Sequence, residues 1–560
     1  MKAFTEPLLS LAGFEEMTKT AEKSSGLISV TGCIDAQKSQ MIYAFGGHRK
    51  NKLIVTFGEQ KAKELYDEYS FFDKEVVYYP SKDVLFYQSD IRGNLLTAER
   101  IRALKAIREQ ERVTLVTTFD ALMNTMAPIE KMWENVLTLE QGQLLDLKEI
   151  QAALIRMGYE KEYQVQTMGQ FSVRGGILDV FPLTEENPIR IELWGDEIDT
   201  IRYFDCESQK SIENIDRVSI YPAAELVLSD EEKAGGIEKL KAEAKRVSDK
   251  LRKQMKTEEA HRVSVMADEL TEEWGELSMY AGMDAFLSYF FDERVGLLDY
   301  FKPSDSLIFF DELTRCAEQG KLTETEFSES MKQRLAMGYI LPGQMNGLFT
   351  EKEIVAKLGK YSCIALAALD NKANGLHQLG SYGIHCQSVS PYNNSFELLI
   401  KDLKRYKKNG YRVILLSGSR TRAKRLSEDI TDQGITCFYT ENYDHELFEG
   451  QIMVCYGKVR RGFEYPILKF AVITESDIFG AQQKKKKRHR TYEGEKIQSF
   501  TDLSVGDYVV HENHGLGIYR GIEKLEVDKK VKDYIKIEYQ GGSNLYILAT
   551  QLDMIQKYAG

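Results

Sequence analysis

The chain has 560 residues, 43% of them hydrophobic, and a formal net charge of -12. That length suffices for about four domains of roughly 150 residues, and the apolar content for several cores, which excludes a wholly disordered chain. The acidic balance excludes a surface coated in basic charge for nonspecific DNA binding and confines any nucleic-acid contact to a local patch.

The seven cysteines, at 33, 206, 316, 363, 386, 437 and 455, stand singly with no CxxC pair. This fits reduced thiols better than disulfides or a zinc site. The N-terminus carries acidic residues inside its apolar stretch, unlike a secretory signal, and no apolar run reaches the length of a membrane span. The expectation is a cytoplasmic protein with no membrane partner.

Residues 1 to 126 read as α/β, with strand candidates Leu53 to Phe57, Glu75 to Tyr79 and Thr114 to Thr118 between helical stretches. Ile28 to Val30 run into TGCIDAQKSQ, where Gly32, Lys38 and Ser39 fall at positions of a GxxxxGK[ST] phosphate loop. Gln37 replaces the second glycine, and a side chain there crowds the anion, so weak or absent nucleotide binding is expected. Downstream, SLIFFDEL ends four apolar residues in Asp311 and Glu312, the pattern that holds magnesium in such ATPases. The pair reads as a degenerate ATPase half.

In residues 127 to 222, Ile189, Ile191 and Leu193 alternate with Arg190, Glu192 and Trp194, placing Arg190 and Trp194 on one face of a strand. The run GGILDVF supplies a second strand, with Arg174 at its mouth. Two placements fit Trp194: folded onto a small core, or displayed beside arginines as at protein interfaces. Residues 223 to 350 are helical, with an apolar stripe of Ile237, Leu240, Ala244, Val247, Leu251 and Met255 that reads as core.

Residues 351 to 480 form a second α/β unit, with strands in YRVILLSG, ITCFY, QIMVCYG and FAVITESD. There Ser417, Ser419, Arg420 and Arg422 read as a solvated helix cap rather than a phosphate site. Residues 481 to 501 carry a basic run from Lys484 to Arg490, a linker pattern. From 502 to 560, short strands between Gly-containing turns give a small β-barrel pattern, with Ile535 and Ile537 alternating with Lys536 and Glu538. His511 and His514 in HENHG lack the spacing of a zinc-binding HExxH, so no metal site is expected.

Two stretches carry a family resemblance. RGGILDVFP with PIRIELWGDEIDTIRYFD, and VVHENHGLGIYRGIEKLE with YIKIEYQGGSNLYI, resemble the second domain and the polymerase-interacting domain of bacterial transcription-repair coupling factors. The resemblance implies a UvrB-like degenerate ATPase module (1–126 and 223–350) interrupted by a UvrA-binding domain (127–222), then the middle domain, the basic linker and a Tudor-like, SH3-type barrel shared with CarD-type regulators. It implies UvrA contacts at Arg174, Arg190 and Trp194. It implies edge-strand pairing with the RNA polymerase β subunit along Ile522 to Val527, with Ile522, Lys524, Leu525 and Glu526 as contacts. Leu525 fits either that edge or the barrel core. The family's ATP- and Mg²⁺-dependent motor, its main contact with DNA, lies past the barrel and is expected to be absent, so this portion is expected to be a monomeric platform with no catalytic residues or cofactor. The competing readings are a UvrB-like ATPase using Lys38 and Asp311, and a CarD-like transcription regulator.

Overall fold

The computed structural model describes residues 1–45, 49–82, 94–206, 208–276, 283–369, 374–480, 494–496, 503–511, 515–527, 530–538, 544–548 and 555–558. Seven strands form the first sheet, in the order Gln378–Gly383, Gly26–Thr31, Ser362–Leu366, Ser306–Asp311, Asn51–Thr56, Val113–Thr118 and Val77–Tyr79. All pair in parallel. The runs SLIFFD, SCIAL and VTLVTT are buried from end to end, as parallel strands covered on both faces must be.

This sheet corrects one expected boundary. Ser362–Leu366 and Gln378–Gly383 belong to it, so the first α/β unit continues past residue 350. An apolar run marks a strand but says nothing of which sheet it joins, since that depends on pairing across hundreds of residues. Ser306–Asp311 lies between Asn51–Thr56 and Ser362–Leu366, which makes the intervening mainly-β segment an insertion into a single sheet.

The inserted segment carries a six-stranded sheet, ordered Ser211–Ile215, Glu197–Phe204, Ile189–Trp194, Ile177–Val180, Gln170–Arg174 and Glu160–Lys161. Leu137–Glu140 and Arg217–Ile220 pair as a separate ribbon. One face of the sheet buries Phe171, Leu178, Val180, Ile189, Ile191 and Ile201. The chain re-enters the α/β unit at a buried ionic strut. Arg100 stacks 4.0 Å from the Tyr79 ring and donates from Nε to Glu225 Oε1 at 2.8 Å, while Lys82 reaches Glu225 at 2.9 Å and Asp284 at 3.1 Å. Burial pushes the Glu225 carboxyl up, but the two cations outweigh it and hold it at about 2.

Helix Asp230–Lys253 starts at a capping box of Ser229 and Glu232 and buries Leu240, Ala244 and Leu251, with Ile237 and Val247 packed alongside. Met255 departs from the expected stripe. It lies past the helix end at φ +63° and is 87% exposed.

The second α/β unit orders its strands Gln387–Ser388, Phe463–Tyr465, Phe470–Thr474, Arg412–Ser417, Ile452–Tyr456 and Phe438–Tyr439. Its Ile414, Leu416, Met453 and Val472 share one core with Ile28, Val30 and Met41 of the first unit. At about 1.5–3 kcal/mol per fully buried large apolar side chain, this common core joins the two units firmly.

The last sheet has six antiparallel strands, ordered Gly494–Lys496, Ile555–Tyr558, Tyr508–His511, Gly515–Val527, Lys530–Glu538 and Asn544–Leu548. Val509, Tyr519, Ile535, Ile537 and Ile555 fill its core. Among the described residues no pairing joins the two outer strands into a closed barrel. Gly494–Lys496 pairs with Ile555–Tyr558, so part of the expected linker belongs to this sheet. The basic run Lys484 to Arg490 and His514 lie outside the described residues. Among those described, no helix is long and apolar enough to cross a membrane, and no cluster of ligating side chains is spaced for a metal ion.

Candidate docking site and phosphate loop

On the face of the inserted sheet opposite its core, Asp179 pairs in register with Arg190, one strand over. Asp179 interrupts the apolar run ILDVF and is almost wholly buried beneath the arginines. Arg190 grips it in a fork, Nε to Oδ1 at 2.7 Å and Nη2 to Oδ2 at 2.8 Å. A further bond from Nη2 to Gln209 Oε1 at 2.8 Å and stacking 4.3 Å from the Phe204 ring complete its surroundings. Hydrogen bonding to Asp179 raises the Arg190 pKa further. Arg174 donates to the same Asp179 Oδ2 at 2.8 Å, yet its side chain is 36% exposed against 13% for Arg190. The two arginines therefore differ in kind. Arg190 is a brace, and Arg174 presents charge to solvent.

Trp194 is 84% exposed, which removes the core placement. It sits four residues beyond Arg190 on the same strand face, about 13 Å along. The sequence brought Arg174, Arg190 and Trp194 together but missed Asp179, Gln209 and Phe204. The one signal for Asp179 was a carboxylate inside an otherwise apolar strand.

The phosphate loop is differently disposed. Lys38 is 1% exposed, with its ammonium 2.6 Å from Asp311 Oδ1, 2.8 Å from Glu312 Oε1 and 3.2 Å from Asp35 Oδ1. Burial pulls its pKa down, but Asp311 and Glu312 prevail and raise it. Thr56 Oγ1 donates to the other Asp311 oxygen at 2.9 Å. Two of the loop amides are taken: Gly32 N donates to Ala368 O at 3.3 Å, and Cys33 N to Ala367 O at 2.9 Å. Gly32 has φ +78°, and a Cβ there would stand 2.0 Å from the carbonyl oxygen of Ile384, which follows the neighbouring strand, so only glycine fits this close approach of two chain segments. Gln37 is buried and accepts from the Tyr465 hydroxyl of the second unit at 3.2 Å. Ser39 Oγ is buried with no hydrogen-bond partner.

The second unit repeats the pattern. Ser419 caps helix Arg420–Asp432, as expected, and Glu475 occupies the adjoining concavity, accepting from Ser417 Oγ at 2.9 Å, Gly418 N at 2.5 Å and Arg422.

In the last sheet, strand Gly515–Val527 pairs with Tyr508–His511 only through Gly515 to Ile518, and with Lys530–Glu538 from Ile518 to Val527. Among the described residues, Ile522 to Val527 thus has a neighbour on one side only. Ile522 packs partly against the core. The side chains of Lys524, Leu525 and Glu526 lie outside the described residues.

Residues 137–226 match the sequence profile of the UvrB interaction domain, and residues 503–559 that of the CarD-like/TRCF RID domain. Among curated relatives, the chain is 31% identical over 511 residues to the transcription-repair-coupling factor of Bacillus subtilis (strain 168), covering 90% of this chain and 43% of that protein. It is 30% identical over 543 residues to the factor of Staphylococcus haemolyticus, covering 95% and 45%. The factor of Staphylococcus aureus (strain MRSA252) is 28% identical over 560 residues, covering 97% and 46%. The chain spans less than half the length of these relatives.

Proposed function

From a chain similar over nearly its whole length to transcription-repair-coupling factors, we propose a recruitment platform of transcription-coupled repair. It engages UvrA through the inserted sheet and the RNA polymerase β subunit through the last sheet, read as a Tudor-like fold. The observation that carries this reading is the exposed Trp194 on the same sheet face as the Arg174–Asp179–Arg190 set, inside the segment matching a UvrB interaction domain. Tryptophan and arginine dominate binding energy at interfaces when a rigid scaffold holds them. ATP-driven translocation on DNA belongs, in this proposal, to the part of such proteins that this chain does not span.

For the polymerase, the half-paired stretch Ile522 to Val527 supports strand addition, in which backbone hydrogen bonds supply affinity and side chains such as Leu525 supply selectivity. Leu525→Arg abolishes polymerase binding and leaves UvrA binding intact. A variant that unfolds by circular dichroism would instead put Leu525 in the core.

The reading as a UvrB-like ATPase is disfavoured by the lysine held between Asp311 and Glu312 and by Gln37 in place of the second glycine. The decisive experiment is a calorimetric titration of the chain with UvrA, run beside an ATP turnover assay. Arg174→Ala weakens UvrA binding by about 1–3 kcal/mol. Magnesium-dependent hydrolysis that disappears in Lys38→Ala would refute the platform reading.

A further inference from the structure

The proposed UvrA face does not end at the arginines. Trp194 and Glu197 flank a two-residue hairpin turn, Gly195 and Asp196, in which Gly195 takes φ +63°. Trp194 lies directly opposite Glu197, and Glu197 directly opposite Leu144, so the three form one row across adjacent strands. Residues directly opposite in antiparallel pairing project to the same face. Leu144 is 75% exposed, so two large apolar side chains stand in solvent with a carboxylate between them.

Beside this row runs a groove of about 640 Å³, lined by Trp194, Glu140, Glu197, Asp199, Asp216 and Arg217. Arg217 is engaged with Glu140 at 3.1 Å. Glu197, Asp199 and Asp216 have no cationic partner among the described residues, so the groove carries surplus negative charge against an exposed indole. Its wall is fixed by backbone bonds: Gly142 N to Ile198 O at 2.8 Å, Ile198 N to Gln143 O at 2.9 Å, Leu145 N to Asp196 O at 2.7 Å and Gln141 N to Asp216 O at 2.9 Å. A groove held this way loses little freedom on binding.

We infer that this groove receives an arginine side chain of the protein partner, its guanidinium laid on the Trp194 indole and its charge met by Glu197 and Asp216. A planar, weakly hydrated guanidinium satisfies both the π face and the carboxylates, whereas a compact ammonium serves the carboxylates alone. A metal ion is a poorer occupant, because no group of side chains among the described residues is spaced to coordinate one. The sheet face is therefore bipolar. Arg174 asks for an acidic group on the partner, and some way along the same surface the groove asks for a basic one, which fixes orientation as well as affinity.

The inference rests on the UvrA reading, and the test separates the two. The whole chain is titrated with UvrA as wild type, Arg174→Ala, the double variant Glu197→Lys with Asp216→Lys, Trp194→Leu and Trp194→Phe. Glu197 and Asp216 are exposed, so the reversals leave the fold intact by circular dichroism. The expected result is at least about a tenfold loss for the charge reversal and for Trp194→Leu, and a loss within about threefold for Trp194→Phe, which keeps a π face. If Arg174→Ala weakens binding while the charge reversal does not, the groove assignment is overturned and the UvrA reading survives. If every folded variant binds as wild type, both fall. If sedimentation shows the chain self-associating through Trp194 and the reversal abolishing that alone, the occupant is a second copy and the inference is overturned.

Discussion

The phosphate loop and the inserted sheet are built from the same materials and end in opposite states. Each sets cations against a buried aspartate, Lys38 on Asp311 and Arg190 on Asp179. At the loop the lysine is spent within the chain: it is held by three carboxylates, and the Gly32 and Cys33 amides donate to Ala368 and Ala367. At the sheet the buried pair is only a foundation, because a second arginine is left partly exposed and a tryptophan almost fully so. A buried ion pair is thus no sign of function by itself. What distinguishes the two regions is whether polar or aromatic capacity remains after the internal partners are counted.

The largest effect should come from breaking the foundation of the sheet. Arg190→Ala leaves Asp179 buried with Arg174 as its sole cation, and removal of one partner from a buried pair costs about 3–5 kcal/mol. Native-state hydrogen exchange across Ile177–Val180 and Ile189–Trp194 reads that loss, and Arg190→Lys recovers part of it. A binding defect in Arg190→Ala therefore reports stability first, which makes Arg174 and Trp194 the cleaner probes of docking.

Acid should act next, at the strut that ties the inserted sheet to the α/β unit. Glu225 is held at about 2 in the folded protein, below its ordinary 4.5. A depressed carboxyl contributes stability above its unfolded pKa and loses it as pH falls, here between about 4.5 and 2, by at most on the order of 3 kcal/mol. A pH series of unfolding midpoints should fall through that window in wild type and flatten there in Glu225→Gln. Smaller again is Trp194→Ala, expected to cost at least about 2 kcal/mol of UvrA affinity with no loss of fold, since the side chain touches little within the chain.

These regions are unevenly legible in the sequence, for physical reasons. Period-two alternation put Arg190 and Trp194 on one face because strand geometry is local. It left open whether Trp194 was core, because burial depends on what packs opposite. The strand SLIFFD was legible as apolar, whereas SCIAL was not singled out, and the membership of both in one sheet rests on register between Phe309 and Ile364, far apart in the chain. Gln37 marked the phosphate loop as altered, whereas the carbonyl of Ile384 that crowds Gly32 comes from a segment with no motif at all. The end of the helical stripe at Met255 was missed because a left-handed residue after Gln254 breaks the period without a glycine to announce it.

The smallest expected effect is the sharpest test of the comparison. If Gln37 alone disabled the loop, Gln37→Gly would restore the phosphate-loop pattern at every position and nucleotide affinity with it. The geometry argues otherwise. The new glycine frees space near the Tyr465 hydroxyl, but the Gly32 and Cys33 amides remain bonded to Ala368 and Ala367, and Lys38 remains between Asp311 and Glu312. Admitting a phosphate requires stripping that lysine from at least one of the carboxylates that hold it. Calorimetric titration of Gln37→Gly with ATP and magnesium should therefore give no more heat than wild type. Saturable binding would mean that the ion pair opens readily, and that the loop and the docking face differ by one side chain rather than by the packing around them.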